Sequence, residues 1–138
     1  MNMFYQSILL MSYSYYESCI AKLCEEAKTK EKIQAICKSK NILLSEEASH
    51  AIDYLQNDIN DLRNNICHNN FGTYRKSAVL KDLSKKNIGI SYDSESNELI
   101  FSDSKFVEEV LNKMHMVLHE LCEKLGYKTK IYPNDVKS

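Results

Sequence analysis

The chain of 138 residues is 43% apolar and 27% charged, with a formal net charge of −1, which fits one soluble domain burying roughly two thirds of its unfolded surface. Three glycines and one proline leave too few turn residues for a β sandwich or barrel, so helices are expected. Near-neutral charge gives no global pull toward nucleic acid or acidic membranes, and any such partner needs a local patch. From Phe4 to about Ala27, Leu9, Tyr13, Tyr16, Ile20, Leu23 and Ala27 recur at three-four spacing and lay one apolar stripe along a first long helix. The charged stretch from Lys28 to Lys40 holds Ile33, Ile36 and Cys37, enough for a short surface helix. Ser45 before Glu46 and Glu47 reads as an N-cap with acidic residues in the first turn. The third helix that follows carries Ile52, Leu55, Ile59, Leu62 and Ile66 on one face and closes at Asn69, Asn70 and Gly72.

Between Phe71 and Lys86, Val79, Leu80 and Leu83 are spaced for one short helix. The period then changes to two: Ile88, Ile90 and Tyr92 alternate with Gly89 and Ser91, Ser94 to Asn97 turn the chain, and Leu99 and Phe101 alternate on the return. Two strands alone are marginal, so this hairpin must lie on the helices. Ser104 is the expected cap of a last long helix with Val107, Val110, Leu111, Met114, Leu118, Leu121 and Leu125 inward and Gly126 at its end. The fold expected is all-α, an antiparallel bundle of four to five helices with a small β-hairpin before the last. Residues 1–127 form this domain and 128–138 a flexible C-terminal tail.

The five cysteines are odd in number and form no C-x-x-C pair, which suits reduced thiols. The most apolar stretch, Ile8 to Ile20, contains Glu17 and follows no basic residue, a poor match to a membrane span or a signal peptide. A cytoplasmic protein without a membrane partner is expected.

Asn57, Asp61, Asn64 and His68 fall within a ~60° wedge of the third helix, opposite its apolar stripe. A solvated face is the simplest account of such a stripe. Arginine, however, is scarce here: of eighteen basic residues only Arg63 and Arg75 are arginine, and Arg63 stands within Asp61-Leu62-Arg63-Asn64-Asn65-Ile66-Cys67-His68-Asn69-Asn70-Phe71-Gly72. Its planar fork pairs with phosphate in a way that lysine cannot. Glu17 is the only charged residue between Met1 and Ala21 and needs a partner. Either it pairs with a lysine or a tyrosine hydroxyl at the surface, or it has an active-site or dimer-cleft role near Arg63. His115, His119 and Cys122 lie at i, i+4 and i+7 on the last helix, a spacing compatible with metal ligands, but without an evident fourth ligand. No metal and no cofactor are expected. Cys67 beside His68 is a weak nucleophile candidate, because adjacent helical residues point apart.

Arg63-Asn64-x-x-x-His68 resembles the signature of the HEPN superfamily, helical domains named for higher eukaryotes and prokaryotes, in which arginine, often asparagine, and then histidine recur. The order of elements from Phe4 to Leu125 is similar too, with Tyr15-Tyr16-Glu17 in an apolar first helix. The resemblance implies metal-independent RNA cleavage that leaves 2′,3′-cyclic phosphate ends. His68 would act as general base or acid, Arg63 would stabilise phosphoryl charge, and Asn64 would fix the histidine or touch phosphate. Glu17, Asp61 and Asn69 are possible supporting residues, and Arg75, Lys76, Lys81, Lys85 and Lys86 are candidates to hold the RNA backbone. Arg63 and His68 stand ~140° apart around an uninterrupted helix, so either the last turn unwinds or a second subunit completes the site. A homodimer with facing motifs, as in HEPN nucleases, suits the second option. The resemblance also implies a toxin or effector of a toxin-antitoxin or anti-phage defence system, with a cognate antitoxin or defence partner. Members paired with a nucleotidyltransferase antitoxin commonly carry a tyrosine two positions after the histidine, where this chain has Asn70. The alternative function is a catalytically inactive HEPN domain that binds RNA or nucleotide, or serves as a dimeric interaction module.

Overall fold

The computed structural model describes residues 2–25, 31–69, 77–96 and 98–126. Helix α1 spans Asn2–Leu23, α2 Lys32–Ser39, α3 Glu46–Asp53, α4 Asn60–Asn69, α5 Ser77–Lys86 and α6 Lys105–Leu125, and strands β1 Ile90–Asp93 and β2 Glu98–Phe101 precede the last helix. The fold is all-α with one hairpin, as the apolar periods predict. The first helix ends at Leu23 rather than near Ala27; Ala27, Asn70, Phe71, Gly72 and the tail expected at 128–138 lie outside the described residues. No helix among the described residues is long and apolar enough to cross a membrane.

Leu9, Tyr13, Tyr16 and Ile20 of α1 are buried against Ile52, Leu55, Ile59 and Leu62 of the third sequence helix and against Phe106, Val110, Val117 and Leu121 of α6, forming one continuous core. Burial of this kind stabilises by ~1.5–3 kcal/mol per large aliphatic or aromatic side chain. On α6 the inward stripe is Phe106, Val107, Val110, Met114, Val117 and Leu121. Leu111 remains 37% exposed and Leu118 is only partly buried, a correction to the expected stripe. Helical geometry explains the shift, since the buried residues and the Leu111-Leu118 row are adjacent rows of one wide apolar face.

The caps are local and specific. Ser45 Oγ accepts from the Ala48 N–H at 3.1 Å, as an N-cap should. The Glu120 carboxylate of α6 also accepts from Ser45 N–H at 2.6 Å and from Ser45 O–H at 2.7 Å, so the start of α3 is tied to the end of α6. The Ser104 side chain makes no cap hydrogen bond to the start of α6. It donates to Glu108 at 2.8 Å, while Asp103 accepts from the Lys105 N–H at 2.9 Å, so the neighbouring aspartate takes over part of the capping. Asn41 adopts φ +55° just after α2, a left-handed conformation that asparagine tolerates and that ends the helix. Gly126 closes α6 at φ +82°.

In the hairpin Ile90 pairs with Phe101 and Tyr92 with Leu99, which puts one apolar face on the bundle. Phe101 stacks on Tyr5 of α1 with centroids 6.1 Å apart and meets Phe106 edge-on at 5.7 Å. Asp93 fixes the turn by accepting from the Glu95 N–H and the Ser96 hydroxyl at 3.1 and 2.8 Å. Ile88 precedes the strand and is 76% exposed.

Candidate functional site

The third sequence helix is a single rod with an unexpected centre. Between α3 and α4, Tyr54–Ile59 form a π-helical segment, and the backbone on either side stays helical at Asp53 and Asn60. The Asn60 N–H donates to the Leu55 carbonyl, five residues back. The same carbonyl accepts the Tyr13 hydroxyl of α1 at 3.2 Å. A π turn widens the helix locally and is frequent at functional sites. Here it immediately precedes the residues singled out by the Arg63 motif.

Arg63 of α4 sits at the middle of a four-sided clamp. Its Nη1 donates to Glu17 Oε1 of α1 at 3.2 Å, and Nη2 donates to Asn60 Oδ1 at 3.0 Å and to Asn64 Oδ1 at a longer 3.4 Å. The guanidinium carbon lies 5.2 Å from the centre of the Tyr13 ring, within cation–π range. Nε is buried with no hydrogen-bond partner among the described residues. The Arg63 side chain keeps 30% of its surface exposed and that of Glu17 48%, so the pair is held in place without being sealed from solvent. Burial, aided by the Glu17 carboxylate and opposed by Arg63, pushes the Tyr13 phenol up to about 12. It therefore remains a neutral donor to Leu55 at ordinary pH. The neighbouring Tyr16 hydroxyl is buried without a partner among the described residues, and burial first, then Tyr13, raises its pKa.

Of the two partners expected for Glu17, the structure selects Arg63. Around α4, Asn60 and Asn64 lie between the positions of Arg63 and His68, and the guanidinium leans toward both asparagines. The backbone is continuous α-helix through His68, so the last turn is not unwound there. The side chains of Cys67, His68 and Asn69 lie outside the described residues, as do Arg75 and Lys76 altogether. Asp61 is half-buried on α4.

The remaining basic candidates lie on α5. Lys81 and Lys85 are exposed, and Lys81 is drawn over the Tyr92 ring at 5.5 Å. Lys86 pairs with Asp82 at 2.8 Å, which commits part of its charge inside the chain. On α6, His115 and His119 stack with centroids 5.9 Å apart, and His119 Nε2 meets Glu123 at 3.0 Å. No group of three or more potential ligands is positioned to hold a metal ion among the described residues, so His115, His119 and Cys122 do not assemble one.

Tyr13 and Asn60 are the members of the clamp that sequence reasoning missed. Both were within reach of simple spacing, since Asn60 lies three residues before Arg63 and Tyr13 four residues before Glu17 on the same helix flank. Compared with known proteins, the chain matches no family model, no curated protein and no solved structure.

Proposed function

We propose that this chain is a metal-independent endoribonuclease in which Arg63 and His68 carry the chemistry. The observation that supports this reading best is the Arg63 clamp: a permanent cation is positioned by Glu17, Asn60, Asn64 and Tyr13 on a side chain that keeps 30% of its surface exposed. Such preorganisation costs no rearrangement when negative charge grows on a phosphoryl group. His68, five residues on, has the side chain best suited to move a proton near neutral pH. In this reading it takes the proton of a ribose 2′-hydroxyl, the hydroxyl oxygen attacks the adjacent phosphorus, and the bond to the 5′-oxygen breaks, that oxygen taking a proton from solvent to leave as a 5′-hydroxyl. The product is a 2′,3′-cyclic phosphate, and Arg63 stabilises the phosphorane-like charge. Asn64 links the two positions, and exposed Lys81 and Lys85 extend the contact to RNA backbone. The resemblance to HEPN domains further suggests a toxic or defence effector held in check by a partner protein.

One observation favours a second reading, a non-catalytic module that binds RNA or nucleotide. Arg63 already meets a carboxylate, which offsets part of its charge. Incubating purified chain with mixed RNA and DNA in excess chelator separates the two. Cleavage of RNA alone, with cyclic phosphate ends, supports the nuclease; RNA bound and recovered intact supports the module.

A further inference from the structure

Helix α1 has two apolar stripes. Leu9, Tyr13, Tyr16 and Ile20, spaced four, three and four residues, are buried in the core. Phe4, Ile8, Met11 and Tyr15 repeat the same spacing on another face, and there Met11 is 72% and Tyr15 68% exposed. Beside this second face, between α1 and α6, runs a groove of about 650 Å³. Its walls are mostly apolar, with Met11 and Tyr15 contributed by α1 and Leu111 and Leu118 by α6. Lys22, His115 and His119 supply most of its polar groups.

The groove differs at its two ends. Its lining runs from Met11 to Lys22 on α1 and from Leu111 to Cys122 on α6, which is ~16 Å along each helix axis. Tyr5, near the start of α1, stacks on Phe101 just ahead of α6, while Leu23 and Leu125 wall one small cavity at the far ends of both helices. Low numbers on α1 therefore lie beside low numbers on α6. Met11 and Leu111 mark an apolar end, and Lys22 and His119 a basic one. Lys22 is exposed and has no ion-pair partner among the described residues. Among the described residues no aspartate or glutamate lines the groove. Glu123, not itself a lining residue, meets His119 Nε2 at 3.0 Å, so the positive charge offered to a ligand is that of Lys22.

We propose that this groove binds a small amphipathic anion, a free unbranched monocarboxylate of about ten carbons, with its tail along Met11, Tyr15, Leu111 and Leu118 and its carboxylate at Lys22. Three features select that ligand. Small-molecule sites are mostly apolar clefts of ~300–1,000 Å³ in which a few polar groups fix orientation, and the groove has that size and make-up. The uncompensated cation at one end calls for a single negative charge there. A slot ~16 Å long takes a linear tail end to end, whereas a nucleotide would press its phosphates and sugar hydroxyls against apolar walls. The inference does not rest on the nuclease reading: around α1, Glu17 stands ~170° from the middle of the groove lining, so the Arg63 clamp is on the other side of that helix.

The test is calorimetric titration of the full chain with butyrate, octanoate and decanoate below their micellar concentrations, and with decyltrimethylammonium as a cation of the same tail. Saturable binding of one decanoate per chain is expected, about tenfold tighter than octanoate because two more methylenes are buried, with butyrate too weak to detect. Lys22→Glu and Leu111→Gln, both at surface-accessible helix positions, should each weaken decanoate about tenfold or more, and circular dichroism checks that both keep their helix content. Lys105→Glu, the same charge change at the opposite end of α6, should leave binding unchanged. No saturable decanoate binding, equal binding of the cationic tail, or wild-type affinity in both folded groove variants overturns the proposal. So does binding only to phosphatidylglycerol vesicles, which would make the face a lipid-surface contact, or a self-association of the chain that shuts decanoate out.

Discussion

Glu17 and Arg63 are 46 residues apart in the chain and 3.2 Å apart between α1 and α4. Their pairing fixes where the guanidinium points. Because both side chains keep solvent access, the pair itself contributes under ~1 kcal/mol to stability; its role is placement. Glu17→Gln should leave the melting temperature within ~2 °C yet lower RNA cleavage by ~10-fold or more, since small misplacement of a catalytic group is costly. Thermal unfolding and initial rates on one RNA substrate check both halves.

The Tyr13 hydroxyl supports the π segment through the Leu55 carbonyl. Tyr13→Phe removes a buried hydrogen bond to the Leu55 carbonyl, which the Asn60 N–H still reaches, a loss of ~1 kcal/mol. Denaturant unfolding should show it as a lower midpoint with unchanged slope.

Alkaline stability follows from the same phenol. Its folded pKa is raised from 10.0 to about 12, so the stabilising contribution is fully present below pH 10. It is lost as pH rises toward 12, where the unfolded chain releases the proton first. Tyr16 and Tyr54 are shifted in the same direction, chiefly by burial. Stability should therefore fall steeply above pH 10, and Tyr13→Phe should make that fall shallower.

The bundle, the hairpin and the Ser45 cap were legible in the sequence because each rests on local periodicity or a short-range hydrogen bond. The π segment was not. Leu55, Ile59 and Leu62 satisfy a three-four spacing equally well with or without an i→i+5 turn, so the apolar pattern carries no trace of it. The Arg63-Glu17 pair was one of two readings of a lone carboxylate in an apolar helix, and only the packing of α1 on α4 selects between them. The second stripe of α1 was hidden for a similar reason: a helix that is apolar on two faces looks, in sequence, like one broad apolar stretch.

Glu120 offers a check at the opposite end of the molecule. Slight burial pushes its carboxyl up, but the two hydrogen bonds from Ser45 and the charge of Lys124 outweigh this and hold the pKa below the usual carboxylate value. Its contribution is present above pH 4.5 and lost as pH falls through the lowered value. Ser45→Ala removes the cap and one of the two bonds to Glu120. It should cost ~1 kcal/mol at neutral pH and less in acid, measured by denaturant titration at both pH values.

Under the proposed function Arg63 and His68 act on the phosphodiester, and the direct measurement is single-turnover cleavage of a short labelled RNA by wild type, Arg63→Lys and His68→Ala, with RNA affinity measured in parallel. His68→Ala should lose ~10²-fold or more in rate with little change in affinity, because proton transfer is removed and binding is not. Arg63→Lys should lose rate as well, since a point charge cannot reproduce a bidentate fork. Rates equal to wild type in both folded variants would contradict the account.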